Sequence, residues 1–198
     1  FSLVAGDFNS DGNDDLAVGA SFEAVGTIPA AGAVIVLPGS AGKLTGVGSQ
    51  LFTQDSPGVP GAAENSDFFG FALAAGDFNQ DTFDDLAVGA SNEAVGTIES
   101  AGAVNVLRGS AGLLTGVGSQ LFTQDSPGVG SGAEDSDLFG DALAAGDFNN
   151  DSFADLAVGV PLEDVGTIQA GGAVNVLPGS AGGLTGVGSQ LFTQDSPG

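Results

Sequence analysis

Four short apolar stretches recur in the same order three times along the chain. The first, at 2–6, 72–76 and 142–146, is rich in Ala, Leu and Val and runs into an acidic loop. The second, at 15–19, 85–89 and 155–159, leaves that loop as Asp-Leu-Ala-Val-Gly. The third, at 33–37, 103–107 and 173–177, is a β-branched run that ends at Pro38-Gly39, Arg108-Gly109 or Pro178-Gly179, all turn signals. The fourth, at 49–53 and its copies, alternates polar and apolar residues and closes at Asp55-Ser56-Pro57-Gly58. Alternation over a few residues bounded by turns predicts strands rather than helices. Small residues in the first two strands suit a crowded position near an axis, and the alternating fourth suits a half-exposed outer edge.

Asp7, Asp77 and Asp147 stand 70 residues apart, and the segment from Leu44 to Gly58 returns unchanged from Leu114 and from Leu184. Four short antiparallel strands per unit, at a period above 40, predict the blades of an all-β propeller. A calcium-binding parallel β-helix would repeat about every nine residues, so a 70-residue period argues against it. The three blades are assigned to 1–58, 59–128 and 129–198.

The loop between the first two strands carries the candidate chemistry. It reads Asp7-Phe8-Asn9-Ser10-Asp11-Gly12-Asn13-Asp14-Asp15, then Asp77-Phe78-Asn79-Gln80-Asp81-Thr82-Phe83-Asp84-Asp85, then Asp147-Phe148-Asn149-Asn150-Asp151-Ser152-Phe153-Ala154-Asp155. Loop positions one, three, five and nine are Asp, Asn, Asp and Asp in every copy. Short oxygen-bearing side chains at alternate positions can converge on one hard cation, and a donor set without His or Cys suits calcium better than zinc. A backbone carbonyl at position seven, from Asn13, Phe83 or Phe153, would help complete six to eight ligands and tolerates variation in the side chain. The expected metal set is therefore Asp7, Asn9, Asp11, Asn13 and Asp15; Asp77, Asn79, Asp81, Phe83 and Asp85; and Asp147, Asn149, Asp151, Phe153 and Asp155, with three calcium ions per chain. Such stretches are often solvated turns, but three copies at fixed spacing between apolar runs favour metal. An EF-hand begins with the same alternation but needs a carboxylate at position twelve; Val18, Val88 and Val158 stand there.

Composition narrows the function classes. Only Lys43 and Arg108 oppose 25 acidic residues, for a net charge of −23. That surface repels nucleic acid and anionic membrane. The recurring strand pattern argues against disorder, the usual fate of so acidic a chain. With no Cys and no His, disulfides, thiol chemistry and the commonest general base are absent. No apolar run is long enough to span a bilayer, and no signal peptide is evident. A start at Phe1 rather than Met is expected of a processed or excised piece.

The residues also resemble a known family. Phe69-Gly70 and Phe139-Gly140, with Gly19-Ala20-Ser21, Gly89-Ala90-Ser91 and Gly159-Val160-Pro161, flank the Asp-x-Asn-x-Asp-x-x-x-Asp loop. This pattern is similar to the FG-GAP repeats of integrin α-subunit propellers and their bacterial relatives, and it covers nearly the whole chain. No copy keeps all three letters of Gly-Ala-Pro. The resemblance implies that the loop binds calcium and rigidifies the bend between the first two strands of each blade. Gly12 keeps the usual turn glycine, whereas Thr82 and Ser152 do not, so loops two and three are expected to be strained or weaker.

Family propellers commonly close with seven blades; this chain supplies three. The expected partner is a second copy, joined head to tail into a six-bladed homodimeric ring, with a longer array as the alternative. The function expected is a calcium-stabilised, non-catalytic adhesion or assembly module, extracellular or at the cell surface, with a protein or glycan as possible ligand. A carbohydrate-binding propeller ranks lower because neither Trp nor Tyr is present to stack on sugars. An enzyme using paired carboxylates ranks lower still, because loops and linkers already explain every clustered acid. Phe8, Phe78 and Phe148 are expected to pack between blades. Glu23, Glu93 and Glu163 are expected to be exposed loop residues, and 64–67 and 134–137 to be solvated acidic linkers.

Overall fold

In a computed structural model, residues 1–196 are described. They contain twelve strands and no helix, arranged as three four-stranded antiparallel sheets. The first sheet holds β1 (Ser2–Gly6), β2 (Asp15–Ala20), β3 (Ala33–Leu37) and β4 (Gln50–Phe52). The second holds β5 (Leu73–Gly76), β6 (Asp85–Ala90), β7 (Ala103–Ser110) and β8 (Leu113–Phe122). The third holds β9 (Ala142–Gly146), β10 (Asp155–Val160), β11 (Ala173–Leu177) and β12 (Gln190–Thr193). Within each sheet the strands lie in chain order, as in propeller blades. The innermost strands β1, β5 and β9 run side by side from blade to blade. Small side chains allow this approach: a Cβ on Gly6 would stand 3.0 Å from that of Ala75.

Two apolar clusters glue the blades together, and they share one composition. Between the first two blades, Phe8, Val34, Val36 and Phe69 pack with Leu86, Val88 and Leu107. Between the second and third, Phe78, Val104, Val106 and Phe139 pack with Leu156, Val158 and Leu177. Phe8 and Phe78 are fully buried, as expected, but Phe148 is 56% exposed because no blade among the described residues covers that side.

Blade two departs from the expected strand ends. The third strand was expected to stop at Arg108-Gly109, yet β7 runs on through Ser110, and β8 turns back to pair with it across a register shift between Val106 and Arg108. Pro38 and Pro178 lack the N–H needed to extend the ladder; Arg108 has one, and here the hairpin continues.

Candidate metal loops and blade junctions

Each acidic loop is folded around its own carboxylates. In the first, Asp7 accepts the N–H groups of Asp11 (3.0 Å) and Gly12 (2.8 Å), and Asp11 accepts that of Asn13 (2.8 Å). In the second, Asp77 accepts from Asp81 and Thr82, and Asp81 from Phe83; in the third, Asp147 accepts from Asp151 and Ser152, and Asp151 from Phe153. The bonds to Asn13 hold the Asp11 carboxyl below its ordinary range.

The ninth position has a different role. Asp15, Asp85 and Asp155 are buried at the start of the second strand. Each accepts the N–H of a glycine that follows the third strand: Gly39 (2.7 Å), Gly109 (2.9 Å) and Gly179 (2.9 Å). They also tie back to the loop, where Asp15 and Asp155 accept the N–H of Phe8 and Phe148 at 3.0 Å. In the second loop the Arg108 guanidinium takes the corresponding oxygen of Asp85, at 3.3 Å. Burial pushes Asp85 up to about 6, against the lowering effect of the Gly109 N–H and Arg108. Burial also raises Asp15, with a smaller contribution from Asp11 and Asp7.

The structure therefore brings positions one, three, five and nine into one loop but turns their carboxylates onto backbone amides. Among the described residues, no group of three or more acidic side chains is gathered closely enough to hold a metal ion as it stands. Two observations nevertheless fit a hard cation. Every side-chain donor is oxygen. In the first loop the Asn9 Oδ1 is buried without a hydrogen-bond partner, while its amide nitrogen stands 3.5 Å from Asp15. In the second and third loops the equivalent oxygen is engaged by Asp81 and Asp151 N–H, each at 2.8 Å. The position-seven residues Asn13, Phe83 and Phe153 sit on the loop through their N–H groups.

Strain differs among the loops. Position six has positive φ throughout, +85° at Gly12, +80° at Thr82 and +76° at Ser152. Only glycine adopts that region without steric cost.

The blade junctions hold residues that sequence reasoning placed on the surface. Gln54 from the end of the first blade donates to Glu93 of the second at 2.6 Å, and Gln124 donates to Glu163 of the third at 2.6 Å. Both glutamines are almost fully buried, as are Asp67, Asp137 and Glu163. Glu93 and Glu163 are thus not ordinary exposed loop residues; only Glu23, with no preceding blade among the described residues, is exposed. Burial pushes Glu93 up to about 7; Gln54 opposes this, and Asp67 and Glu64 add to it. Asp84, at loop position eight, also crosses a junction: its carboxylate accepts the Asp7 N–H at 3.0 Å, and its N–H returns to the Asp7 carbonyl at 3.1 Å. In the third loop this position is Ala154, which keeps only the backbone half of the exchange. The invariant spacing of Gln54, Gln124 and Gln194 was a visible signal for such a contact, but it named no partner.

The Phe-Gly pairs lie where the blades meet. Phe69 N–H binds the Ala31 carbonyl and Phe139 N–H the Ala101 carbonyl, both at 2.9 Å, and both rings are fully buried. The two backbones approach so closely that a Cβ on Gly19 or Gly89 would fall on the carbonyl oxygen of Gly70 or Gly140. The glycine of the second motif element and the Phe-Gly of the next repeat are thus two halves of one contact.

The FG-GAP repeat model matches residues 1–37, 69–107 and 139–177. Integrin alpha-PS5 of Drosophila melanogaster is 32% identical over 163 residues, 81% of this chain and 15% of that protein. Integrin alpha-E of Mus musculus is 42% identical over 106 residues, 52% of this chain and 8% of that protein. Phosphatidylinositol-glycan-specific phospholipase D of Rattus norvegicus is 37% identical over 114 residues, 58% of this chain and 13% of that protein. The chain thus spans only a small part of these relatives. With the family pattern matched in all three blades and its paired elements in contact at both junctions, the chain belongs to the FG-GAP repeat family.

Proposed function

We propose that this chain is a calcium-stabilised, non-catalytic propeller module for adhesion or assembly outside the cell. The observation that carries the reading is the threefold acidic loop, set identically between the first two strands of each blade. Asp7, Asn9, Asp11 and Asp15, with the two equivalent sets, would hold the ions. Bound calcium would supply positive charge to loops whose carboxylates otherwise repel one another. The buried, unpartnered Asn9 Oδ1 supports the first loop as such a site. Arg108 beside Asp85 and the strained Thr82 point to the second as the weakest. Kinship with proteins named integrin alpha supports an adhesive or assembly role and an extracellular place. No helix among the described residues is long and apolar enough to cross a membrane.

The test is thermal unfolding with calcium and with a chelator. Affinity of about 10⁻⁴–10⁻³ M suffices outside cells, so millimolar calcium is expected to raise the midpoint and chelator to lower it. Asp11→Ala is expected to remove one calcium equivalent in a titration while leaving the other two. Superimposable melting curves with calcium and chelator would overturn the calcium reading.

A further inference from the structure

We propose that the open face of the third blade is a binding groove for an extended Phe-Gly linker from another repeat unit, guarded by Gln194. The groove holds about 470 Å³ and is lined chiefly by Ala142, Gly159, Gly172, Ala173, Val174 and Phe192. Its counterparts on the other two blades are filled, and they show what fits.

On the first blade, the N–H groups of Ser66, Phe68 and Phe69 bind the carbonyls of Pro29, Ala30 and Ala31 at 3.1, 3.2 and 2.9 Å. On the second, Ser136, Leu138 and Phe139 bind Glu99, Ser100 and Ala101 at 2.9, 3.2 and 2.9 Å. The incoming segment lies parallel to its host at Gly32 and Phe69, a one-residue form of strand addition. Gly32 and Gly102 leave room for it, since a Cβ on either would strike the incoming phenylalanine's carbonyl oxygen.

The third blade repeats this host. Gly172 keeps positive φ, +75°, yet a Cβ there would meet nothing nearer than the Pro161 carbonyl oxygen at 3.2 Å. Val34 and Val104 are fully buried under their linkers, whereas Val174 is 39% exposed. The carbonyls of Gln169 and Ala170 accept no backbone N–H among the described residues. The Gly171 carbonyl, counterpart of the one that receives the phenylalanine N–H elsewhere, is held by the Gln194 side chain at 3.2 Å. Gln54 and Gln124 instead reach forward to a glutamate of the next blade. Gln194 has folded back onto the vacant acceptor and must leave for the linker to dock. The groove continues the two junctions already described, and it stands whether or not the loops take calcium.

The test uses a capped peptide of residues 133–141, Ala-Glu-Asp-Ser-Asp-Leu-Phe-Gly-Asp, titrated into the isotope-labelled chain at moderate salt, followed by amide shifts. Saturable one-to-one shifts at 170–174 are expected. A peptide with Phe139→Ala is expected to bind at least about tenfold more weakly, as loss of a buried aromatic implies. In the protein, Val174→Glu is expected to abolish binding and Gln194→Ala to tighten it several-fold. Absence of saturable shifts up to millimolar peptide, equal binding of the two peptides, or no gain from Gln194→Ala would each overturn the proposal. Should Val174→Glu fail to fold, the peptide comparison on the unmodified chain still decides.

Discussion

At the scale of single residues, the three repeats differ where backbone or burial makes a substitution matter. Thr82 is β-branched at φ +80°, where Gly12 sits without cost. A non-glycine residue held there costs about 1–3 kcal/mol, part of which is returned by the greater unfolded-state freedom of glycine. Thr82→Gly is therefore expected to stabilise the chain by about 1 kcal/mol and raise its melting midpoint by about 2–4 °C. A calorimetric scan at fixed calcium checks this, and an unchanged or lower midpoint counts against strain in that loop. Glu93 gives a pH-dependent case. Its folded pKa of about 7 lies above the ordinary 4.5 because burial disfavours the charge. The folded state therefore binds more protons than the unfolded one between those values, and stability falls as pH rises from about 4.5 to 7. Glu93→Gln keeps an acceptor for Gln54 and removes the charge. It is expected to match the parent near pH 4 and to exceed it at pH 8 by on the order of 1–2 kcal/mol, discounted for residual solvent contact. Denaturant melts at both pH values measure the difference, and equal stability at pH 8 speaks against a buried charge.

At the scale of elements, one sequence takes three burial patterns. Asp-Leu-Ala-Val-Gly opens β2, β6 and β10 alike. In β2 it is Ala17 and Gly19 that are buried, facing blade two; in β10 it is Leu156 and Val158, facing back. In β6, which has a blade on either side, all of them are buried. The same logic separates the loop phenylalanines. Phe78→Ala removes a fully buried ring and is expected to cost about 3–5 kcal/mol. Phe148→Ala, at the same loop position but more than half exposed, is expected to cost under about 1 kcal/mol. Equal losses in urea melts would mean that Phe148 is covered in solution.

At the scale of the whole molecule, the first and third blades each have one face that no other blade covers among the described residues. Among the described residues Glu23 receives no glutamine of the kind that Glu93 and Glu163 receive, and the Gln194 side chain turns to the Gly171 carbonyl instead of to a glutamate. Leu3 and Phe22 are exposed on the first blade, and Phe148 and Phe192 on the third. Because the repeats are so alike, we propose that the third-blade face receives the first-blade face of another copy, since exposed apolar faces of this kind mark interfaces. Head-to-tail association is the assembly we propose, with a two-chain, six-bladed ring favoured over an open array. Light scattering of the calcium-loaded chain is expected to give at least twice 19.1 kDa; a folded particle of that single-chain mass at working concentration refutes self-association.

The fold class was legible in the sequence because its signals are local. Strand alternation, turn residues and the 70-residue period place four strands in each blade, and the observed strands fall within a few residues of the expected ones. The one substantial extension, through Arg108 into the hairpin, follows from a proline replaced by a residue with an N–H. The acidic loops were legible as loops between the first two strands of each blade, but the turn of their carboxylates onto loop N–H groups was not. That Asp15 and its counterparts are buried anchors for a glycine N–H 24 residues on was not, because that contact depends on where β3 returns. The Gln54–Glu93 and Gln124–Glu163 pairs, the burial of Asp67 and Asp137, and the seat of each Phe-Gly on the preceding blade were decided by tertiary structure alone. Stretches that the repeats share, such as Asp-Leu-Ala-Val-Gly, carry the same local information, and only their neighbours distinguish them. Burial, the raised pKa of Glu93 and the open groove beside Val174 arise from which blade stands next to which.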